Sequence, residues 1–388
     1  MLEFDSFEEL KKFMDSTSDF LLSSHTATPL PPPICSPLDD TERNIIINIY
    51  KSYKENGETI KQIAGNFLHL LQLLVPSQNF TDIFKHLIYL EWMEHRIKPD
   101  PTKRSKAFYR DHILHCANVC WVGHRLIFDL EEPFYPYLKS CLKIILPPKC
   151  EHLLKDENDW ENFIKITWYI TAIVHDFGYP IELVERKYAS DELYLCSENY
   201  LKTNRLTGYF EKHFSKTIPI FKKQMEKIDK KTLKDPFREC EKCHPILGSL
   251  ELLHFLKKNY LKFKNRKVTY RYIYQLAALG IFEHHKEGVI DFDLNPFGYI
   301  LALADTLHEW QRYVCTGTAR AGSTKLGFIS PITKVKIKRE GRNLYKIFYK
   351  INPHWKKCSG WNPDYFKKDK KEELNRLKTK PGLPRFTI

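Results

Sequence analysis

The chain has 388 residues, of which 43% are apolar, 28% charged and 14% aromatic, a balance that suits a folded globular protein with a large core and excludes a disordered chain. No run of about 18 uncharged apolar residues is present, and the N-terminal Met-Leu-Glu-Phe-Asp lacks the basic region and apolar core of a secretory signal, so a cytoplasmic protein with no membrane span is expected. The net charge is +13, but residues 333–388 hold 17 Lys and Arg against 5 Asp and Glu, so the excess belongs to a C-terminal segment suited to a phosphate-rich partner, or simply to keeping the chain in solution.

Residues 1–25 read as a short amphipathic helix, and Thr28-Pro-Leu-Pro-Pro-Pro-Ile-Cys-Ser-Pro37 as an extended linker, since proline breaks helices. These make an N-terminal segment, 1–38. A helical region follows over 39–103. Ile46, Ile49 and Tyr50, then Leu70, Leu71 and Leu74, recur at helical spacing, Phe80–Ile97 reads as a further helix, and Pro99 and Pro101 close the region.

The main domain is expected over 104–326. Residues 104–130 form a long helix with His112, His115, Val119, Val122 and Leu126 on one stripe. Residues 160–176 form another, stopped by Gly178 as a left-handed cap and by Pro180, so that His175 and Asp176 fall in its last turn. Residues 186–240 are polar and lysine-rich and read as an insertion. His244-Pro245 opens a helix lined by Ile246, Leu247, Leu250, Leu253 and Leu256, with proline at its permitted first position. Tyr270–His285 is a further apolar helix, and Asn295-Pro296 caps a helix to about Tyr313 with Asp305 in its middle. After Gly327 the period changes to two. Lys334–Arg339 and Leu344–Ile351 read as a hairpin turning at Glu340-Gly-Arg-Asn343, before a short charged helix around Lys370–Leu377. The fold class is therefore mainly α, a helical bundle with a basic hairpin-and-helix appendix over 327–388.

The ten cysteines are scattered, as expected of reduced thiols. Cys240-Glu-Lys-Cys243-His244 has the spacing of covalent haem attachment, and Cys240 and Cys243 that of half a zinc site. Haem attachment requires export, which nothing in the sequence announces, and two ordinary thiols are the reading adopted.

The residues that carry chemistry are, in chain order, His115, His175, Asp176, His244, His284 or His285, and Asp305. Imidazole and carboxylate suit Mn, Fe, Ni, Mg or Zn, and a carboxylate can bridge two ions. Sites in helical bundles draw such ligands from several helices. Each residue also has a plainer reading: His115 as a core histidine, His244 as a helix start, His284-His285 as a surface pair. Asp305 is harder to dismiss, because it follows the apolar run Gly298-Tyr-Ile-Leu-Ala-Leu-Ala304, and a buried carboxylate needs a cation or another partner. His308, three residues on, is a candidate partner.

In that order the sequence resembles the HD-domain superfamily of metal-dependent phosphohydrolases. The resemblance covers roughly 104–314 and rests on Arg110-Asp-His-Ile-Leu-His115, His175-Asp-Phe-Gly-Tyr-Pro180, His244-Pro-Ile-Leu-Gly-Ser249, Glu283-His-His-Lys286 and Leu303-Ala-Asp-Thr306. Several of these are similar to the HD-GYP subgroup, which cleaves cyclic dinucleotides. However, Tyr179 stands where that subgroup has lysine, and Lys286-Glu-Gly-Val289 where it continues into its Gly-Tyr-Pro signature. The resemblance implies an HD-type bundle with two divalent metal ions. His115, His175, Asp176 and Asp305 would hold one, and Asp176 would bridge to a second on His244 and His284, with His285 as substitute or ligand of a third. Such ions make a bridging water acidic enough to attack phosphorus at neutral pH. His112 would be the acid for the leaving group, and Arg110, Tyr179 and Lys286 would contact phosphate.

The function that follows is hydrolysis of a phosphoester of a nucleotide, cyclic nucleotide or nucleic acid. The aromatics interleaved with Lys and Arg over 333–388 add a possible nucleic-acid contact, although alternating aromatics in a hairpin also pack on the body. Two other classes compete: a di-iron oxygenase, since the HD fold also hosts myo-inositol oxygenase, and a binding or regulatory protein with a structural metal.

Overall fold

The computed structural model describes residues 1–25, 57–96, 112–148, 152–180, 244–259, 269–283, 288–310, 314–316, 327–357, 361–379 and 381–388. The proline-rich linker, the insertion over 186–240 and the Cys240/Cys243 pair lie outside them. The described part is mainly helical, with ten α-helices and a small sheet. Among the described residues no helix is long and apolar enough to cross a membrane. The chain divides into two units, one of Met1–Glu132, Leu303–Arg376 and Pro381–Ile388, the other of Pro133–Ala302 and Leu377–Lys380.

In the first unit the expected N-terminal helix is preceded by a strand, β1 (Leu2–Phe4), and α1 runs over Phe7–His25. Leu10, Met14, Thr17 and Leu21 are its buried stripe, at spacings of four, three and four. That stripe packs on α2 (Gly57–Leu74), which buries Ile60, Ile63, Ala64, Phe67, Leu71 and Leu74. Next is α3 (Gln78–Arg96), whose Phe84 stacks on Phe67 with ring centroids 5.8 Å apart. The fourth helix, α4 (His112–Phe128), is buried on every side from His112 to Gly123, as a helix in the middle of a core must be.

The sheet of this unit has the order β1-β5-β6-β8, where β5 is Ile332–Gly341, β6 Leu344–Ile351 and β8 Arg385–Thr387. The hairpin of β5 and β6 is where the alternation places it, and Asn343 makes its turn at φ 57°, a conformation asparagine tolerates better than most residues. Val335, Ile337, Tyr345 and Ile347 point inward and are buried. Strand β1 pairs antiparallel with β5, Phe4 opposite Val335, and the fully buried Phe4 ring lies 5.2 Å from both Trp121 and Trp310. The basic C-terminal hairpin is thus completed by the N-terminal strand. A short pair, β3 (Val314–Thr316) with β4 (Gly327–Ile329), also belongs to this unit. The C-terminal helix α10 (Pro363–Asn375) starts seven residues earlier than the charge pattern suggests, capped by Asn362, whose Oδ1 accepts from Asp364 N at 2.8 Å.

The second unit is built on α5 (Tyr135–Ile145), α6 (Glu157–Val174), α7 (His244–Lys258), α8 (Thr269–Phe282) and the start of α9 (Pro296–Leu307). Asp156 caps α6 by accepting from Asp159 N at 2.8 Å. From Ile166 to Val174 α6 is buried on all faces, and its polar Thr167 and Thr171 satisfy their hydroxyls on the carbonyls four residues back, at 2.7 and 2.8 Å. Against α6 packs α8, which in turn packs on α7. Asn295 caps α9, accepting from Gly298 N at 2.9 Å and donating to Leu279 O at 3.0 Å. The two-residue strands β2 (Ile290–Asp291) and β7 (Leu377–Lys378) pair in parallel.

Candidate metal centre

Helix α6 ends at Val174, and His175 is its C-cap, so His175 and Asp176 follow the helix rather than close it. Gly178 does not take the left-handed conformation expected of a cap, because the positive-φ glycines among the described residues are Gly288 and Gly382. Its requirement is contact. A Cβ there would lie 2.0 Å from His244 O and 2.8 Å from Gly248 N, well inside van der Waals contact. Glycine lets the turn after α6 lie directly on the first residues of α7, and so brings His244 to Asp176.

The second unit's donor set has one carboxylate oxygen between two imidazoles. Asp176 Oδ1 is 3.5 Å from His175 Nε2 and 3.5 Å from His244 Nε2. His175 is fully buried, and Asp176 and His244 are each 7% exposed. His175 Nδ1 lies 2.7 Å from Ala172 O. A carbonyl only accepts, so Nδ1 carries the proton, and in the neutral ring Nε2 presents its lone pair. That lone pair faces a carboxylate oxygen, two acceptors in a buried space, which is unfavourable without a cation between them. Two ligands at about 2.0–2.2 Å from one tetrahedral ion lie about 3.3–3.6 Å apart, and both separations here fall in that interval. The donor set therefore fits a metal ion, and the Nδ1–H bond to a backbone carbonyl is the usual way to orient a ligating histidine. Tyr179 packs its ring edgewise on His244, centroids 5.2 Å apart at 63°.

In the first unit α4 presents His112 and His115, both buried, one turn apart. His115 Nε2 is 3.0 Å from Asp305 Oδ1, and its Nδ1 is 2.8 Å from His308 Nδ1. Asp305 lies on α9, which ends at Leu307, six residues short of the expected end. His308 thus leaves the helix to meet His115, with its ring also edgewise on Trp310 at 4.7 Å. The sequence suggests His308 as a partner of Asp305, whereas the structure makes it the partner of His115. Cys116, the buried residue after His115, is a further donor that sequence reasoning does not single out. Buried His, Cys and Asp side chains of the chain can thus hold a metal ion.

Behind Asp305 the same unit holds a buried ion cluster not visible in the sequence. Lys370 of α10, 6% exposed, reaches Glu309 at 2.6 Å and Glu373 at 2.7 Å, while Tyr349 donates to Thr306 O at 3.2 Å. Of the other candidates, Arg110, His284, His285 and Lys286 lie outside the described residues. No family model, curated protein or solved structure matches the chain.

Proposed function

We propose that the chain is a metal-dependent phosphohydrolase of HD type, acting on a phosphoester of a nucleotide, cyclic nucleotide or nucleic acid with two divalent metal ions, Mn, Fe, Ni, Mg or Zn. The observation that carries this reading is Asp176 Oδ1 facing the Nε2 atoms of two buried histidines. The resemblance supplies the reaction class. The donors it calls for are present, His115 and Asp305 in the first unit and His175, Asp176 and His244 in the second.

When bound, such ions supply an acidified water and stabilise charge on phosphoryl oxygens. The chain's own residues prepare for this. The bond from Nδ1 to Ala172 O fixes the tautomer and the angle of the His175 ring. Gly178 seats His244. His112, buried one turn before His115, is assigned as the acid that protonates the leaving group. Arg110, Tyr179 and Lys286 are assigned to the phosphate, Lys286 as a catalytic contact, and His284 or His285 as the remaining ligand. The basic segment 333–388 is assigned to nucleic-acid contact, and the cytoplasm is the compartment proposed.

The test combines metal content and turnover. Purified wild type should retain a divalent metal by elemental analysis and release product from a panel of phosphodiesters, nucleotides and oligonucleotides. Asp176→Ala and His244→Ala should lose both, and His112→Ala should keep metal but lose rate. Equal metal in wild type and Asp176→Ala would sink the reading. Iron with oxygen uptake and no phosphate-ester cleavage would transfer the site to the oxygenase class.

A further inference from the structure

The outward face of the four-stranded sheet is dominated by lysine. Along β5 the outward residues are Lys334, Lys336 and Lys338, and along β6 they are Lys346, Phe348 and Lys350. The register sets Lys334 opposite Lys350, Lys336 opposite Phe348, and Lys338 opposite Lys346. Like charges directly across an antiparallel pair destabilise a sheet, and this sheet has two such pairs, one on each side of Lys336 and Phe348. On β8, Phe386 stacks inward on Tyr345, so its neighbours Arg385 and Thr387 face outward and extend the basic row.

The charge is divided across the face. Towards β1 it is neutralised. Lys334 pairs with Glu3 and with Asp5, the latter at 2.6 Å, and Lys336 pairs with Glu3 at 2.8 Å. Towards β6 and β8, Lys338, Lys346, Lys350 and Arg385 face a single carboxylate among the described residues, Glu340, 3.7 Å from Lys346. In the middle of that half lies Phe348, 41% exposed, with Lys346 Nζ 5.5 Å from its ring centroid. The other hairpin aromatics do not share this exposure. Tyr345 is buried, and Tyr349 packs against Phe366 with its hydroxyl on Thr306 O. One open ring among cations that outnumber their carboxylates, on a sheet whose facing lysines repel each other, is a surface for a ligand with both negative charge and free planar faces.

We propose that this face, centred on Lys338, Lys346, Phe348 and Lys350, binds single-stranded nucleic acid, with phosphates on the lysines and a base stacked on Phe348. A duplex keeps its base faces internal, and a single exposed ring is too small an apolar area to anchor a membrane. The site rests on the assignment of 333–388 to nucleic-acid contact and sharpens it to single strands, and strand binding itself needs neither metal nor turnover.

The experiment is fluorescence anisotropy of a labelled oligouridylate or oligothymidylate against the full chain in EDTA, over a series of salt concentrations. Wild type should bind, with affinity falling as salt rises. The triple variant Lys338→Gln/Lys346→Gln/Lys350→Gln should bind weakly, with the slope of log affinity against log salt reduced by about 2. Phe348→Ala should bind roughly tenfold more weakly at an unchanged slope. Since the opposed lysines repel, the triple variant should unfold at the wild-type temperature or higher. If it fails to fold, Lys338→Gln alone should reduce the slope by about 0.7. Absence of binding by wild type, an unchanged slope in the lysine variants, undiminished affinity in Phe348→Ala, or capture by phosphatidylserine vesicles but not by oligonucleotides overturns the proposal. Retained binding with no hydrolase activity would leave it standing and count only against the hydrolase.

Discussion

A methyl group at position 178 would sit 2.0 Å from the carbonyl oxygen of His244, so Gly178→Ala can fold only by pushing the start of α7 away from the turn that carries Asp176. We expect a loss of about 1–3 kcal/mol, read as a lower urea midpoint, together with reduced metal retention. Gly248→Ala is the control, since its nearest neighbour would be 3.3 Å away and alanine favours the helix; it should cost clearly less. Equal losses in the two would show that the close approach at 178 is unimportant. The residue was legible in the sequence but its reason was not. Gly-x-Pro after an apolar helix reads as a stop, while the need for glycine comes from a backbone 66 positions later in the chain. His308 is a similar case: it sits at helical spacing from Asp305, but the early end of α9 turns it to His115 instead.

Among the elements, α10 packs on the unit through Leu374 and Phe366 and through a charge cluster centred on the buried Lys370. Lys370 reaches both Glu309 and Glu373. Lys370→Met would take the ammonium away from both carboxylates, and we expect about 3 kcal/mol of destabilisation in urea. Adding Glu309→Leu and Glu373→Leu should recover most of it, because an apolar cluster of similar volume is often as stable as a buried ion cluster. The pH dependence has a definite sign. Burial raises the Glu373 carboxyl, but the charge and hydrogen bond of Lys370, with Thr306, outweigh it and hold the group below its usual 4.5. A carboxyl depressed in the folded state contributes stability above its unfolded pKa and loses it as pH falls through the folded one. Urea midpoints should therefore fall as pH drops below about 4.5, and Glu373→Gln should flatten that limb. The β5–β6 hairpin was fully legible, since period-two alternation and a turn are local signals. Helix α5 was missed although Pro136 in its first turn and Pro147-Pro148 just past its end mark it, and the Lys370 cluster was not legible because it joins residues 61 positions apart.

At the scale of the molecule, the long helices and the order of the His and Asp residues could be read from pattern, but the division of the chain could not. A segment expected to be a separate basic appendix shares its sheet with the first residues of the chain, because Leu2-Glu3-Phe4 is too short to announce itself and its partner lies at 335–337. Removing residues 333–388 would therefore strip β1 of its pairing and expose Phe4, Trp121 and Trp310, which is why point substitutions are the cleaner probe of the outward face. Phe4→Ala should cost about 3–5 kcal/mol in thermal or urea unfolding, more than an N-terminal surface residue would, and a loss under about 1 kcal/mol would show that β1 is dispensable. The same strand sets a schedule for synthesis. A ribosome adding about 5–20 residues per second needs tens of seconds after Phe4 emerges before Val335 exists to receive it. Through that interval the nascent chain carries an unpaired strand and an apolar Phe4 surface that are covered only once the hairpin is made.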